Sequence, residues 1–557
     1  MHQRSIEVLI KFTGKCIWGC MIRMTQAINP GRLALAGSSG LLITGSFPVI
    51  GLDFLAWVAL VPLLIALRDL SAFDGFRIGF FCGLVHYFSL LYWFVPFLAT
   101  YGPFPVILST GILLLFCAYL SLYLGMFGLI LTWIRIPVFS LLMIIPAIWV
   151  GLEYLRAILL SGFPWELLGH TQFNKLHIIQ ISDIVGVYGV SFLIALANGL
   201  AFVLYHFITR KSWCGQKIVR KHVVIYASFF GILFIVVWTY GQWQIGNVSN
   251  KISQVPSKKI AVVQGNVDQT VKWDRAYQLK TINKYIDLSR QASAQNPELI
   301  VWPETSMPFY FGSQMPQTRL VLKNLESIGV DTLLGSPAYA KDADRVAYYN
   351  RVFLVDSNGT ISDAYNKSHL VPFGEYVPFK RWLPFLGKMV QHVGDFSTGT
   401  VGDTLVWGQL QIGALICYEM IFPYLARAAT QNGAQLLINV TNDAWYGRTS
   451  APYQHFSMAV FRAVETRRAL VRSANTGISG FIDPLGRILS QTALFEEAVL
   501  VADVPVMAGQ TLYVKRGDFF ALACTMAGAI LILIEFIQRI QANRKLPRGG
   551  TRNVTRN

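Results

Sequence analysis

The chain has 557 residues, 54% of them hydrophobic and only 14% charged, with a formal net charge of +17. It is too apolar for an ordinary soluble domain and long enough for several domains, so membrane spans are expected. The positive excess suits loops that stay in the cytoplasm. The absence of a nucleic-acid motif, or of a basic patch interleaved with aromatics, argues against nucleic acid as a partner.

Residues 1–32 read as a cytoplasmic N-terminal extension. Lys11, Lys15 and Arg23 interrupt its apolar run and no small-residue cleavage site follows, so it is not a signal peptide. A multi-pass α-helical membrane bundle of eight spans follows. Seven lie within residues 33–243, near 33–48, 50–67, 78–98, 105–131, 138–160, 188–208 and 223–243. The eighth is near 518–538. A span needs about 20 apolar residues; the first is short and holds Pro48. Arg68 and Arg77, Arg135, the cluster Arg210 to Lys221, and the basic tail 539–557 all fall on the side of the N-terminal Arg4 and Lys11. Both termini are then cytoplasmic and residues 244–517 lie outside. Glu153 and Arg156, three apart near the outer end of a span, read as a local ion pair or as a lipid head-group site. Phe163 and Trp165 read as interfacial belt aromatics or as substrate contacts.

Residues 244–517 change character, with short β-rich runs alternating with helical ones. Strands are expected at 259–267, 298–304 and 331–337, and a helix at 277–292. A hairpin is expected over 349–367, with Asn358-Gly359 supplying positive φ values at its turn. Further strands flank a helix from Pro423 to Asn432, and a second hairpin turns at Pro484–Gly486. The pattern predicts a mixed sheet core covered by helices.

Cys417 is the sole cysteine between Lys221 and Lys515, at the end of a strand with a helix soon after. There a thiol is exposed at the sheet edge and feels the positive end of a helix, which lowers its pKa; a buried strand cysteine is the alternative. Glu304 ends its strand after Trp302-Pro303, an apolar setting suited to a general base. Lys367 ends a hairpin strand, where an ammonium can hold an oxyanion. Glu375, eight residues on, can orient Lys367 or the substrate. Together a Glu, a Lys and a Cys at successive strand ends make an acyl-transfer site. No CxxC pair or zinc spacing occurs, and neither a metal nor an organic cofactor is expected.

The motifs "WPE" (302–304), "NKSHLVPFGEYVP" (366–378) and "CYE" (417–419) resemble the carbon–nitrogen hydrolase (nitrilase) superfamily. With "GFPW" (162–165), "VQGN" (263–266), "KWD" (272–274), "NDAWYG" (442–447) and "YVKRGD" (513–518), the chain is similar to its membrane-bound branch, the apolipoprotein N-acyltransferase family. The resemblance implies eight spans carrying an extracytoplasmic α-β-β-α sandwich in the periplasm of a bacterial inner membrane. It implies a Glu304–Lys367–Cys417 triad that moves an acyl chain from a phospholipid, such as phosphatidylethanolamine, to the α-amino group of a diacylglyceryl-cysteine lipoprotein. Glu375 and Glu419 are supporting residues on this reading, and Trp273, Tyr418 and Trp165 bind substrate. The stretch 377–391, with Phe379, Trp382 and Leu383 beside Lys380 and Arg381, suits an arm in the head-group layer. The same triad would also serve a membrane-tethered amidase.

Overall fold

The computed structural model describes residues 28–102, 104–134, 138–213, 215–342, 345–377 and 396–545. The expected arm at 377–391 therefore lies outside the described residues, but for Val377. Pro30 opens helix α1 (Pro30–Gly45), where Gly31 N donates to the Asn29 side chain at 2.8 Å. A broken apolar segment, Asp53–Ala66, follows. Then come α2 (Ala72–Leu90) and α3 (Phe94–Tyr101), bent 54° from one another, and α4 (Val106–Trp133). The bundle continues through α5 (Val138–Ile158), α6 (Val187–Ile208) and α7 (Arg220–Ile252). Helix Phe519–Lys545 is the last of the described elements.

Among the described residues, five helices can cross a bilayer by length and composition, or six when the bent α2–α3 pair is counted as one span. The first two expected spans are shorter than a bilayer requires: α1 has 16 residues, and Asp53–Ala66 is interrupted between Trp57 and Val61. Pro48, and Gly51 at φ +69°, break the apolar run that continuous helices would need. Small residues let α2 and α4 approach closely, since a methyl group on Gly79 would sit 2.2 Å from the Leu124 carbonyl oxygen. Glu153 and Arg156 form no ion pair with each other. Instead both hold the loop after α5: Leu168 N donates to Glu153 Oε1 at 2.7 Å, and Arg156 Nη1 donates to Trp165 O at 2.9 Å.

After α7 the chain builds two six-stranded sheets. The strands in chain order are β1 (Ser257–Gln264), β2 (Leu299–Val301), β3 (Asp331–Asp342), β4 (Arg345–Val355), β5 (Ile361–Asn366), β6 (Leu405–Trp407), β7 (Leu410–Ile416), β8 (Leu436–Thr441), β9 (Leu470–Ala474), β10 (Gly480–Ile482), β11 (Ile488–Gln491) and β12 (Ala498–Pro505). One sheet has the order β12-β1-β2-β3-β4-β5 and the other β11-β10-β9-β8-β7-β6. The helices are α8 (Arg275–Ser293), α9 (Pro316–Ile328), α10 (Pro423–Gln431) and α11 (Ala451–Thr466).

Alternation along the strands makes the layers. Val262 and Val301 of the first sheet meet Ile416, Ile438 and Val471 of the second in one core. Val263 and Ile300 turn outward against Ile282 and Tyr285 of α8 and Val321 of α9. Leu415, Leu437 and Leu470 turn outward against α10 and α11, in a core that runs on without interruption into the membrane helices. This is an α-β-β-α sandwich with one helical layer fused to the bundle. The β4–β5 turn departs from expectation: Gly359 has φ +74°, whereas Asn358 does not enter the left-handed region. Asp356 makes a longer loop, its Oδ1 accepting from Asn358 N and Thr360 N at 3.0 and 2.8 Å.

Candidate active site

Glu304 lies just past β2. Trp302 anchors this exit by donating from Nε1 to Ser289 Oγ at 2.8 Å and from N to Leu333 O at 2.8 Å. The loop lies so close to β3 that a methyl group on Gly335 would meet the Glu304 Cα at 2.7 Å. Glu304 Oε1 accepts from Asn350 Nδ2 at 2.8 Å and Oε2 from Asn442 N at 3.0 Å. Asn442 follows β8, so the carboxylate is held from both sheets.

Lys367 follows β5, its N donating to Asn350 O at 2.9 Å. Its buried Nζ donates to Glu375 Oε1 at 2.9 Å and lies 3.8 Å from Glu304 Oε1. Burial alone would depress this ammonium, but Glu375 and Glu304 outweigh it and hold Lys367 charged, well above its ordinary range. Glu375 also accepts from Val371 N and Asn350 Nδ2, each at 2.9 Å.

Cys417 is the first residue of a 3₁₀ turn, Cys417–Ile421, directly after β7, with φ +51°. A non-glycine residue in this left-handed region is strained and persists where its surroundings enforce it. The enforcing group is Glu419, fully buried, whose Oε2 accepts from Ile416 N at 2.7 Å. Its Oε1 accepts from Ser368 N at 2.6 Å, His369 N at 3.0 Å and Tyr365 OH at 3.0 Å. One carboxylate thus joins the nucleophile turn to the strand end carrying Lys367. Burial raises the pKa of Glu419, and these hydrogen bonds oppose the rise.

The expected exposed, low-pKa thiol is not what the fold builds. Cys417 is 8% exposed, and burial pushes its thiol up, with Glu304 adding to the rise and Lys367 opposing it. A buried thiol facing a carboxylate needs a general base at the moment of attack rather than a preformed thiolate.

The structure therefore brings Glu304, Lys367, Glu375, Cys417 and Glu419 together. Tyr418 is buried against Phe422 and His369, at ring-centroid distances of 5.0 and 6.0 Å. Trp273 is 51% exposed on the loop between β1 and α8. Trp165 is 1% exposed and faces neither lipid nor water: its Nε1 donates to Gln454 Oε1 of α11 at 2.9 Å.

Three buried residues, Asp443, His455 and Arg472, are given no role by the sequence reading, although Asp443 lies in the NDAWYG motif. Arg472 Nη2 donates to Asp443 Oδ2 at 2.8 Å, and His455 Nε2 lies 3.2 Å from Cys417 O. Burial would raise Asp443, but Arg472 and His455 prevail and hold its carboxyl down at about 2. The available signal was Arg472 itself, a charge in the middle of the apolar strand Leu470–Ala474. Lys272, quoted only as part of the KWD motif, was also given no role. It is fully buried, its Nζ has no hydrogen-bond partner among the described residues, and burial lowers it to about 8 while Glu304 opposes the shift.

A strand-end Glu, Lys and Cys on a two-sheet sandwich place this domain in the carbon–nitrogen hydrolase class, whose family model matches residues 259–513. The model for the apolipoprotein N-acyltransferase N-terminal domain matches residues 39–200. An apolipoprotein N-acyltransferase of Geobacter metallireducens is 43% identical, over 92% of this chain and 96% of its own. One of Methylococcus capsulatus is 32% identical, over 88% of this chain and 93% of its own. Among solved structures, an amidase from Nesterenkonia sp. AN1 is 24% identical with a TM-score of 0.35, covering 47% of this chain and 98% of its own. The chain belongs to the apolipoprotein N-acyltransferase family.

Proposed function

We propose that the protein moves an acyl chain from a phospholipid, through a thioester on Cys417, to the α-amino group of the N-terminal diacylglyceryl-cysteine of an apolipoprotein. Glu304 takes the thiol proton as the sulfur attacks the ester carbonyl. Lys367 and the Tyr418 N–H hold the resulting oxyanion. The C–O bond breaks, and the lysophospholipid leaves with the proton returned by Glu304. The lipoprotein amine then attacks the thioester, Glu304 takes its proton, the C–S bond breaks and the sulfur recovers a proton.

The observation that carries this reading is a buried acyl-transfer triad on a domain whose core is continuous with membrane helices. An open cavity of about 530 Å³ is lined by Ser368, His369 and Tyr376, which follow Lys367 in the chain, and by Ser161 at the end of a membrane helix, so it connects the sandwich with the bundle. On this reading Glu375 fixes Lys367, Glu419 fixes the nucleophile turn, Trp273 and Tyr418 bind substrate, and Trp165 supports α11. The topology we favour has eight spans, counting α1 and Asp53–Ala66 as short ones, with both termini cytoplasmic. The bundle sits in a bacterial inner membrane, the sandwich faces the periplasm, and phosphatidylethanolamine is the donor.

The test incubates purified protein with acyl-labelled phospholipid and reads the label on Cys417 by mass spectrometry, then on the amine of a diacylglyceryl lipopeptide. Label released as free fatty acid with none on the amine would make the enzyme a hydrolase instead.

A further inference from the structure

The Asp443–His455–Arg472 cluster touches no reacting atom, yet it grips the nucleophile's own backbone. The hydrogen bond to Cys417 O requires a proton on His455 Nε2, because a carbonyl can only accept. At the other ring nitrogen, Nδ1 lies 3.0 Å from Arg472 Nη2 and 3.1 Å from Asp443 Oδ1. Arg472 can only donate and the Asp443 carboxylate can only accept, so the contacts at Nδ1 suit either the neutral or the charged ring, and in both Nε2 carries a proton. Burial lowers the ring's pKa, with Arg472 adding, while Asp443 and the Cys417 carbonyl oppose the shift.

A trans peptide is planar, with its C=O and N–H pointing opposite ways. Drawing Cys417 O toward His455 therefore turns the Tyr418 N–H away from the buried cluster. Tyr418 is the second residue of its 3₁₀ turn, so that N–H has no acceptor within the turn. The ring in turn is fixed from the membrane side. Gln454, its neighbour on α11, accepts from Trp165 Nε1 at 2.9 Å and Trp93 Nε1 at 3.3 Å, and Trp165 stacks on the His455 ring at 5.7 Å.

We propose that His455 is a positioning residue that aims the Tyr418 N–H at the acyl oxyanion by holding the Cys417 carbonyl. The inference rests on the acyl-transfer reading above and adds to it a residue acting through the backbone.

The test compares His455→Gln with His455→Met in the full-length protein. The two side chains have nearly the same length and shape, and only Gln can donate to Cys417 O. Acyl loading from labelled phospholipid builds an oxyanion, whereas alkylation of Cys417 by iodoacetamide does not. The expected result is loading slowed about 10- to 100-fold in the Met variant and largely restored in the Gln variant, with KM little changed. Alkylation rates should stay within about twofold of wild type in both, since no oxyanion forms. Equal loading by the two variants overturns the proposal, and so does a parallel loss of loading and alkylation. If wild-type protein is alkylated yet takes up no acyl label, the acyl-transfer reading falls and takes this inference with it. Should the Met variant not fold, His455→Leu replaces it as the variant without a donor.

Discussion

The two walls of the site use buried charge differently. On the first sheet's side, Glu304 and Glu375 lie 3.8 and 2.9 Å from the one ammonium of Lys367. On the second sheet's side, Arg472 and Asp443 compensate each other at 2.8 Å, and His455 passes their order to the Cys417 carbonyl. One wall keeps its charges for chemistry, while the other uses a neutralised pair to hold geometry. A buried ion pair is weak evidence for stability but can fix a unique arrangement, and here the arrangement concerns a strained turn.

The sharpest way to break this contrast is Cys417→Ala. It should leave the fold intact and reduce acyl transfer by at least about 1,000-fold, with no label retained on the protein. Lys367→Met comes next. It leaves Glu304 and Glu375 buried without their cation, so about 3–5 kcal/mol of stability should be lost. Acyl loading should fall roughly 100- to 1,000-fold; melting in detergent and the loading assay report the two effects separately.

Lys272→Met should act in the opposite direction on stability. A lysine held at about 8, against an ordinary 10.5, disfavours folding at neutral pH by about 3 kcal/mol, and the penalty is relieved as pH rises from 8 towards 10.5. The substitution should raise the Tm at pH 7 and flatten its rise above pH 8. Loading should fall with it, because Glu304 loses a neighbouring positive charge; a Tm unchanged at pH 7 would mean the ammonium is compensated.

On the other wall, Asp443 is held at about 2 against 3.8 when free, so its roughly 2 kcal/mol contribution is complete above pH 4 and lost as pH falls through 2. Asp443→Asn should therefore be less stable at pH 7 and lose less between pH 4 and 2 than wild type. Glu419→Gln should be comparable in size to the loss at Asp443. It keeps one acceptor oxygen but sets an amide donor against backbone N–H groups, with an expected loss of about 1–3 kcal/mol read by melting.

How legible was all this in the sequence? Glu304 and Cys417 stood out because each ends a short apolar run, and Lys367 because it ends a hairpin strand, where the chain must stop and present its next side chain. The layer order followed from alternation, as at Leu415 and Ile416, which face opposite cores. Asp443 and His455 did not stand out, because a charge on a loop or helix reads as solvated until the packing around it is known. Glu153 and Arg156 misled for a related reason: helical spacing suggested a pair, but a loop nine to fifteen residues further on offered both of them backbone partners. The first span was placed three residues late and the second made continuous, because apolarity alone does not reveal where the helical ladder starts and breaks.

The clasp of Trp93 and Trp165 on Gln454 bears on how this enzyme can be handled. A truncated, water-soluble version of residues 257–505 would bare the greasy back of α11 and release the tryptophans that fix its pitch. Such a fragment could keep every reactive side chain and still be a poor catalyst, so inhibitor screens belong on whole chains in nanodiscs.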